Sequence, residues 1–178
     1  MSSTLTAFIK PLSASRENRL KGLRLVEEHP EYVNELFELA HNSEAKREHI
    51  YASWIWEFYI LNDFSRYPPF FDSSLHCLMK IENSSMRRSH SKILWHFLNN
   101  KTSSSTLTKA QKEWIISICL SLIITETKTA PLSFCIRVLL FFRSEFPEIH
   151  SHLEDLLLHS RRTFPKGVYP IIRSVFKN

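Results

Sequence analysis

The sequence predicts an all-α fold in which about ten helices stack as pairs into a right-handed superhelix. One amphipathic pattern recurs four times, at residues 49–58, 88–97, 132–141 and 169–176. Each copy closes on a phenylalanine, and the intervals between them are 39, 44 and 35 residues: Phe58, Phe97, Phe141 and Phe176. Such a period, with no strand-like segment between the copies, is typical of paired-helix repeats. Only two glycines occur in the chain, which argues against β-hairpins whose turns need positive φ.

Apolar side chains at helical spacing predict the individual elements. In chain order, these helices cover residues 4–12, 16–29, 30–42, 45–62, 69–82, 86–100, 109–126, 130–146, 148–164 and 166–178. Every predicted break is short. The chain is therefore expected to form a single domain over residues 1–178, without a linker.

Start and stop signals define the first helices. Pro11 ends the first helix, and Ser13 or Ser15 can cap the second through its side-chain oxygen. Pro30 suits the first turn of the third helix, where no backbone N–H is needed. The helix over 45–62 has so wide an apolar face that we expect it to pack on two sides.

The later helices are separated by proline and by short polar segments. The segment KTSSST at 101–106 is predicted to be a loop, and Thr108 is the expected N-cap of the next helix. Pro147 and Pro165 mark the starts of the last two helices. Pro170 would either kink the final helix or delay its start.

Composition excludes several classes of protein. With 178 residues, 43% apolar and 23% charged, the chain has the composition of an ordinary globular domain. The scarcity of glycine excludes Rossmann turns and glycine-rich phosphate loops. The longest apolar run, 114–124, is shorter than the roughly 20 residues needed to span a bilayer.

The N-terminus and the cysteines predict a cytoplasmic protein. The first ten residues show no basic region followed by an apolar stretch and a cleavage site, so no signal peptide is evident. Cys77, Cys119 and Cys135 are odd in number and form no CxxC pair. They are expected to be small buried hydrophobic residues in a reducing compartment.

The order of segments resembles short HEAT-like helical-repeat proteins of Bacteroidetes. The resemblance rests on SASRENRLKGLRLVEEHPEYVNELFELA (13–40), YASWIWEF (51–58), SKILWHFLN (91–99), LTKAQKEWIISICLSLI (107–123) and a basic final helix. It implies a HEAT/ARM-like α-α superhelix and no activity that could be transferred. Proteins of this kind are sometimes labelled adenylosuccinate lyase. The mobile-loop signature of that enzyme family, SSxMPxKxN, is met here only by Ser84-Ser85-Met86-Arg87-Arg88, which lacks its proline, lysine and asparagine.

No motif predicts a catalytic residue, a cofactor or a metal. None of the nine histidines belongs to an HExxH-type string, and His49, His90 and His96 are expected to be packed or solvated. No GxSxG elbow occurs. Glu57, between Trp56 and Phe58, is the one candidate general acid or base, although we favour an ion pair with Arg88 or Lys92.

The basic residues give the predicted binding surface. Net charge is +5, which suits an acidic partner or nucleic acid. Second helices of repeats line the concave side of a superhelix. The predicted stripe there comprises arginines and a lysine that can hold phosphate or carboxylate: Arg87, Arg88, Lys92, Arg137 and Arg173. Tryptophans of the same helices could add flat surfaces for stacking: Trp54, Trp56 and Trp95.

Two functions follow from this surface. The first is a non-enzymatic adaptor whose concave face binds a protein or peptide, with no membrane partner. The second is nucleic-acid binding by a protein similar to the HEAT-like alkylpurine DNA glycosylases, in which Glu57 with Trp54 and Trp56 would be the only acidic and aromatic set. Ion pairs between repeats and tryptophans in the core are the structural alternative for all of these residues.

Overall fold

A computed structural model describes residues 4–176 of the chain. Within that range the protein is all-helical, with 77% of residues in helices and no strand. The predicted all-α class is confirmed, as is the number of about ten helices.

The helices follow one another with short connections. They are α1 (Thr4–Ile9), α2 (Arg16–Glu28), α3 (Val33–Ala40), α4 (Arg47–Asn62), α5 (Phe71–Leu78), α6 (Ser84–Asn99), α7 (Lys101–Ser104), α8 (Lys109–Thr125), α9 (Thr129–Phe142), α10 (Glu148–Glu154) and α11 (Tyr169–Val175). Short 3₁₀ segments occur at Pro30–Tyr32, Phe64–Arg66, Pro68–Phe70 and Lys166–Val168.

The chain divides into two compact units, Met1–Ile93 and Leu94–Asn178. The boundary lies inside α6. The single domain over residues 1–178 stays a prediction.

Side-chain caps fix where several helices begin. Ser15 caps α2, because its hydroxyl oxygen accepts a hydrogen bond from the Asn18 N–H at 3.2 Å. Thr108 caps α8 and forms a reciprocal capping box with Gln111. Both caps confirm the sequence-based prediction.

Other boundaries differ from the prediction for local reasons. Ala45 has a φ of 51°, a left-handed conformation that a helix cannot contain, so α4 begins at Arg47. The segment predicted as a polar loop contains the single helical turn α7. After α10 the backbone is π-helical over Asp155–His159 and then leaves the helix, so the predicted helix to residue 164 is too long. Pro170 lies in the first turn of α11, which confirms the delayed start.

In the unit Met1–Ile93, α4 is the central element, and α1, α2 and α3 pack on it. Its apolar side chains Ile55, Trp56 and Ile60 are buried. Gly22 of α2 allows the close approach of α4, because a Cβ at that position would lie 2.7 Å from Cγ1 of Ile55 and closer still to its Cδ1. Two-sided packing of α4, expected from its apolar face, is therefore observed.

Gly22→Ala should destabilise the protein by about 1–3 kcal/mol, the usual cost of overpacking a core. Alanine gains about 1 kcal/mol of helix propensity, so the same change should stabilise the protein when Ile55→Ala has removed the overlapping atoms. Urea unfolding of the wild type, both single variants and the double variant measures this coupling. Equal effects of Gly22→Ala in the two backgrounds would contradict the contact.

In the unit Leu94–Asn178, α8, α10 and α11 pack on α9. Leu132, Ile136 and Leu139, at i, i+4 and i+7, are buried on one face of α9. Glu126 fixes the short connection between α8 and α9, because its Oε1 accepts the backbone N–H groups of Thr127 and Lys128 at 2.7 and 2.8 Å.

The described helices include none that is long and apolar enough to cross a membrane.

Candidate binding cleft

The predicted binding residues are divided between the two units. In Met1–Ile93 lie Trp54, Trp56, Arg87, Arg88 and Lys92. In Leu94–Asn178 lie Trp95, Arg137 and Arg173.

In the first unit, a buried ion cluster engages Glu57, whose side chain is only 1% exposed. Its Oε2 lies 2.8 Å from Nη2 of Arg88 and accepts a second hydrogen bond from the Ser89 hydroxyl, also at 2.8 Å. Its Oε1 accepts from Nζ of Lys92 at 2.8 Å. Arg88 and Lys92 are 29% and 28% exposed. The ion pair favoured from the sequence is present. Arg88 and Lys92 both bind Glu57, and each of its two carboxylate oxygens accepts a hydrogen bond from one of them.

The other predicted residues of this unit serve structural contacts. Nε of Arg87 donates a hydrogen bond to the Ile81 carbonyl at 2.6 Å, which ties the start of α6 to the connection before it. Trp56 is fully buried, and its ring packs edge-on against Phe70 at 5.2 Å between centroids. Trp54 is half-buried, and the guanidinium of Arg19 lies 5.8 Å from its ring centroid.

Two buried histidines in the same unit lie ring against ring. The centroids of His41 and His90 are 4.2 Å apart. Nδ1 of His41 donates to the Phe37 carbonyl at 2.7 Å and Nε2 of His90 donates to the Ala40 carbonyl at 2.9 Å, because a carbonyl oxygen only accepts. Burial lowers the pKa of His90 to about 4. Burial, with repulsion from His90, also holds the pKa of His41 well below 6.5. Both rings are neutral at pH 7.

The cysteines of the second unit are buried thiols. A hydrogen bond with Cys135 and burial raise the pKa of the Cys119 thiol well above 9. Nucleophilic chemistry needs a thiolate, so Cys119 has the character of a core residue.

Part of the predicted surface in the second unit borders an open cleft. Two overlapping cavities of about 320 and 400 Å³ share Trp95, Arg137, Leu140 and Ser174 as lining residues. Trp95 comes from α6. Arg137 and Leu140, with Phe141, are at i, i+3 and i+4 on α9, so they lie on one face of that helix. Pro170, Ile171 and Ser174 of α11 form the opposite wall.

The arginines of the cleft have no partner within the described part of the unit. Arg137 is exposed, as is Arg143, which follows α9 and lines one of the cavities. Neither guanidinium is hydrogen-bonded or ion-paired to any described residue. The acidic residue nearest to Arg143 in sequence, Glu145, accepts instead from Nζ of Lys112 at 2.8 and 2.9 Å. Arg173 is also exposed, but it does not line the cleft.

The charge of the chain is concentrated in the unit that contains the cleft. Residues 1–93 contain 12 Lys and Arg against 12 Asp and Glu, whereas residues 94–178 contain 11 against 6. The whole net charge of +5 therefore belongs to the second unit. No carboxylate is among the residues that line the cleft.

Several lining residues were not predicted from the sequence. The segment around α9 is apolar nearly all round, which indicated a buried helix, yet Phe141 is 40% exposed. The sequence did contain a signal for this surface, because α9 carries more apolar residues than its neighbouring helices can cover. Arg143, Pro170 and Ile171 gave no such signal, because their positions depend on how α9 and α11 pack.

No protein-family model, curated protein or solved structure matches the chain.

Proposed function

We propose that this chain is a cytoplasmic, non-enzymatic scaffold of HEAT-like helical pairs that binds a macromolecular partner, a protein or peptide, through the cleft of its second unit. One observation carries the proposal: Arg137 and Arg143 line the cleft, beside the exposed ring of Phe141, and have no acidic partner among residues 4–176. Unpaired cations next to exposed apolar side chains are typical of binding surfaces, where arginine and aromatic residues contribute most of the affinity.

A scaffold of this kind fits the chemistry of the remaining polar groups. The buried carboxylate of Glu57 is neutralised by Arg88 and Lys92, and the Cys119 thiol is protonated. Neither is presented to a substrate. The proposed superhelix is supported by the recurring segments and by the packing of sequence neighbours such as α8 with α9. In that arrangement the cleft residues belong to its concave side.

Affinity capture from native lysate, followed by mass spectrometry, tests the proposal. The full chain should capture a specific protein, and Arg137→Ala/Arg143→Ala should lose it, because both arginines line the proposed cleft. Lys109→Ala/Lys128→Ala, two exposed lysines of the same unit that do not line the cleft, is the matched control and should retain the captured protein. The same capture by all three proteins, or no specific capture by the wild type, would count against the proposal.

Nucleic-acid binding is the second candidate, favoured by the concentration of the +5 charge in residues 94–178. It predicts a slope of about −0.9 in log K against log salt for each phosphate neutralised on duplex DNA. The glycosylase version of this function requires Glu57 to reach a base. Its 1% exposure and its three hydrogen bonds favour a structural role instead.

A further inference from the structure

Resting on the proposed function, we infer that the cleft of the second unit binds an acidic peptide segment that carries a large apolar side chain between its carboxylates. The cleft has two features that each specify one part of the ligand: its unpaired arginines and its apolar floor.

The arginines specify carboxylates. Arg137 lies on α9, Arg143 directly follows its last residue, and both line the same cavity. Six residues at the helical rise place their Cα atoms about 9 Å apart along the helix axis. Acidic residues two or three positions apart in an extended peptide are separated by about 7–10 Å, so two of them can reach both guanidinium groups. Each guanidinium offers a fork of N–H donors that matches the two oxygens of a carboxylate.

The floor of the cleft specifies the apolar side chain. Leu140 and Phe141 come from α9, Ile171 from α11 and Trp95 from α6. Phe141 is 40% exposed, so an occupant would remove apolar surface from water there. Burial of apolar surface favours binding in proportion to its area, and a leucine or phenylalanine of the partner supplies the complementary surface.

This lining favours a peptide over nucleic acid. A phosphate backbone is held by a track of many cations, whereas only Arg137 and Arg143 among the lining residues are charged. Trp95 and Phe141 offer rings on which a base could stack, but Leu140 and Ile171 beside them are aliphatic and offer no such face. They do offer a site for an apolar peptide side chain.

The probe for this inference is a phage-displayed library of random peptides, selected on the full-length protein with counter-selection on Arg137→Gln/Arg143→Gln. Enriched peptides should contain acidic residues around a leucine or an aromatic residue. The best of them, labelled with fluorescein, should bind the double variant at least tenfold more weakly by anisotropy, since one charge-assisted hydrogen bond is worth about 1.5–3 kcal/mol. Lys109→Gln/Lys128→Gln removes the same charge from the unit outside the cleft and should change the affinity less than about twofold.

Two matched ligands complete the test. Replacing the acidic residues of the peptide by their amides, or its apolar anchor by serine, should each weaken binding about tenfold or more. Phe141→Ser should weaken the parent peptide and have little effect on the serine peptide. Selection of peptides without acidic residues, equal binding to wild type and Arg137→Gln/Arg143→Gln, or tighter binding of a mixed-sequence oligonucleotide at the cleft would overturn the inference.

The scaffold proposal and the peptide inference fail separately. Arginine-dependent capture of a protein from lysate, without selection of any acidic peptide, would leave the scaffold and remove the peptide chemistry. Loss of arginine-dependent capture together with failed selection would remove both. Circular dichroism of each variant should match the wild type, because the exposed Arg137 and Arg143 make no contact that the fold needs.

Discussion

Replacing Arg88 and Lys92 together by methionine should destabilise the protein by about 3–5 kcal/mol, the usual cost of leaving one member of a buried ion cluster without its partners. Glu57 is 1% exposed, so water cannot replace the two lost cations. Only the Ser89 hydroxyl would still donate to its carboxylate. Urea unfolding at pH 7 measures the loss as a shift in the free energy of unfolding.

The triple variant Glu57→Met/Arg88→Met/Lys92→Met distinguishes the effect of an unpaired buried carboxylate from an effect of altered packing. Well-packed apolar groups often replace a buried ion cluster at no cost, so the third substitution should recover most of the lost stability. Arg16→Met/Arg24→Met, at exposed positions of α2, is the charge-matched control and should cost less than about 1 kcal/mol. If the triple variant were no more stable than the double variant, the loss of stability would not come from leaving the Glu57 carboxylate without its cations.

Acidification should destabilise the protein as pH falls from about 6.5 towards 4, because His41 and His90 are neutral in the folded state. An unfolded histidine has a pKa of about 6.5, whereas the pKa of His90 is about 4 and that of His41 is well below 6.5. Between these values the unfolded chain binds more protons, so stability rises with pH across this window. His90 alone accounts for about 3 kcal/mol between pH 7 and pH 4.

The variant His41→Gln/His90→Gln should flatten this dependence, whatever its own stability at pH 7. Its free energy of unfolding, measured by urea at several pH values, should fall less between pH 6.5 and 4 than that of the wild type. His152→Gln, at an exposed site in the other unit, should keep the wild-type dependence. An unchanged slope in the double variant would mean that other groups govern the acid response. Ionised carboxylates elsewhere contribute equally to both proteins and cancel in the comparison.

The sequence predicted features that depend on neighbours along the chain. Ser15 and Thr108 cap helices because a hydroxyl can reach an N–H three residues ahead, whatever the rest of the fold does. Pro170 delays α11 for an equally local reason, since its ring cannot be accommodated further inside a helix. The all-α class follows from the same short-range pattern.

The four recurring segments show where prediction from the pattern ends. Phe97 and Phe141 close two copies of one motif, yet Phe97 is 2% exposed and Phe141 is 40% exposed. The repeat predicts that both residues lie on a helix at the same position. It does not say which neighbouring helix covers each ring.

Which residues form the candidate site also depends on contacts between distant parts of the chain. Lys92 and Arg137 occupy similar positions in their segments, and the sequence placed both on one cationic stripe. Lys92 is bound to Glu57, 35 residues earlier in the chain, whereas Arg137 meets no carboxylate among the described residues of its unit. Helical periodicity, caps and prolines act within a few residues, so the sequence determined the helices and the supply of basic and aromatic side chains. Only tertiary packing, which brings distant residues together, decided which cations are neutralised and which meet no acidic group among the described residues.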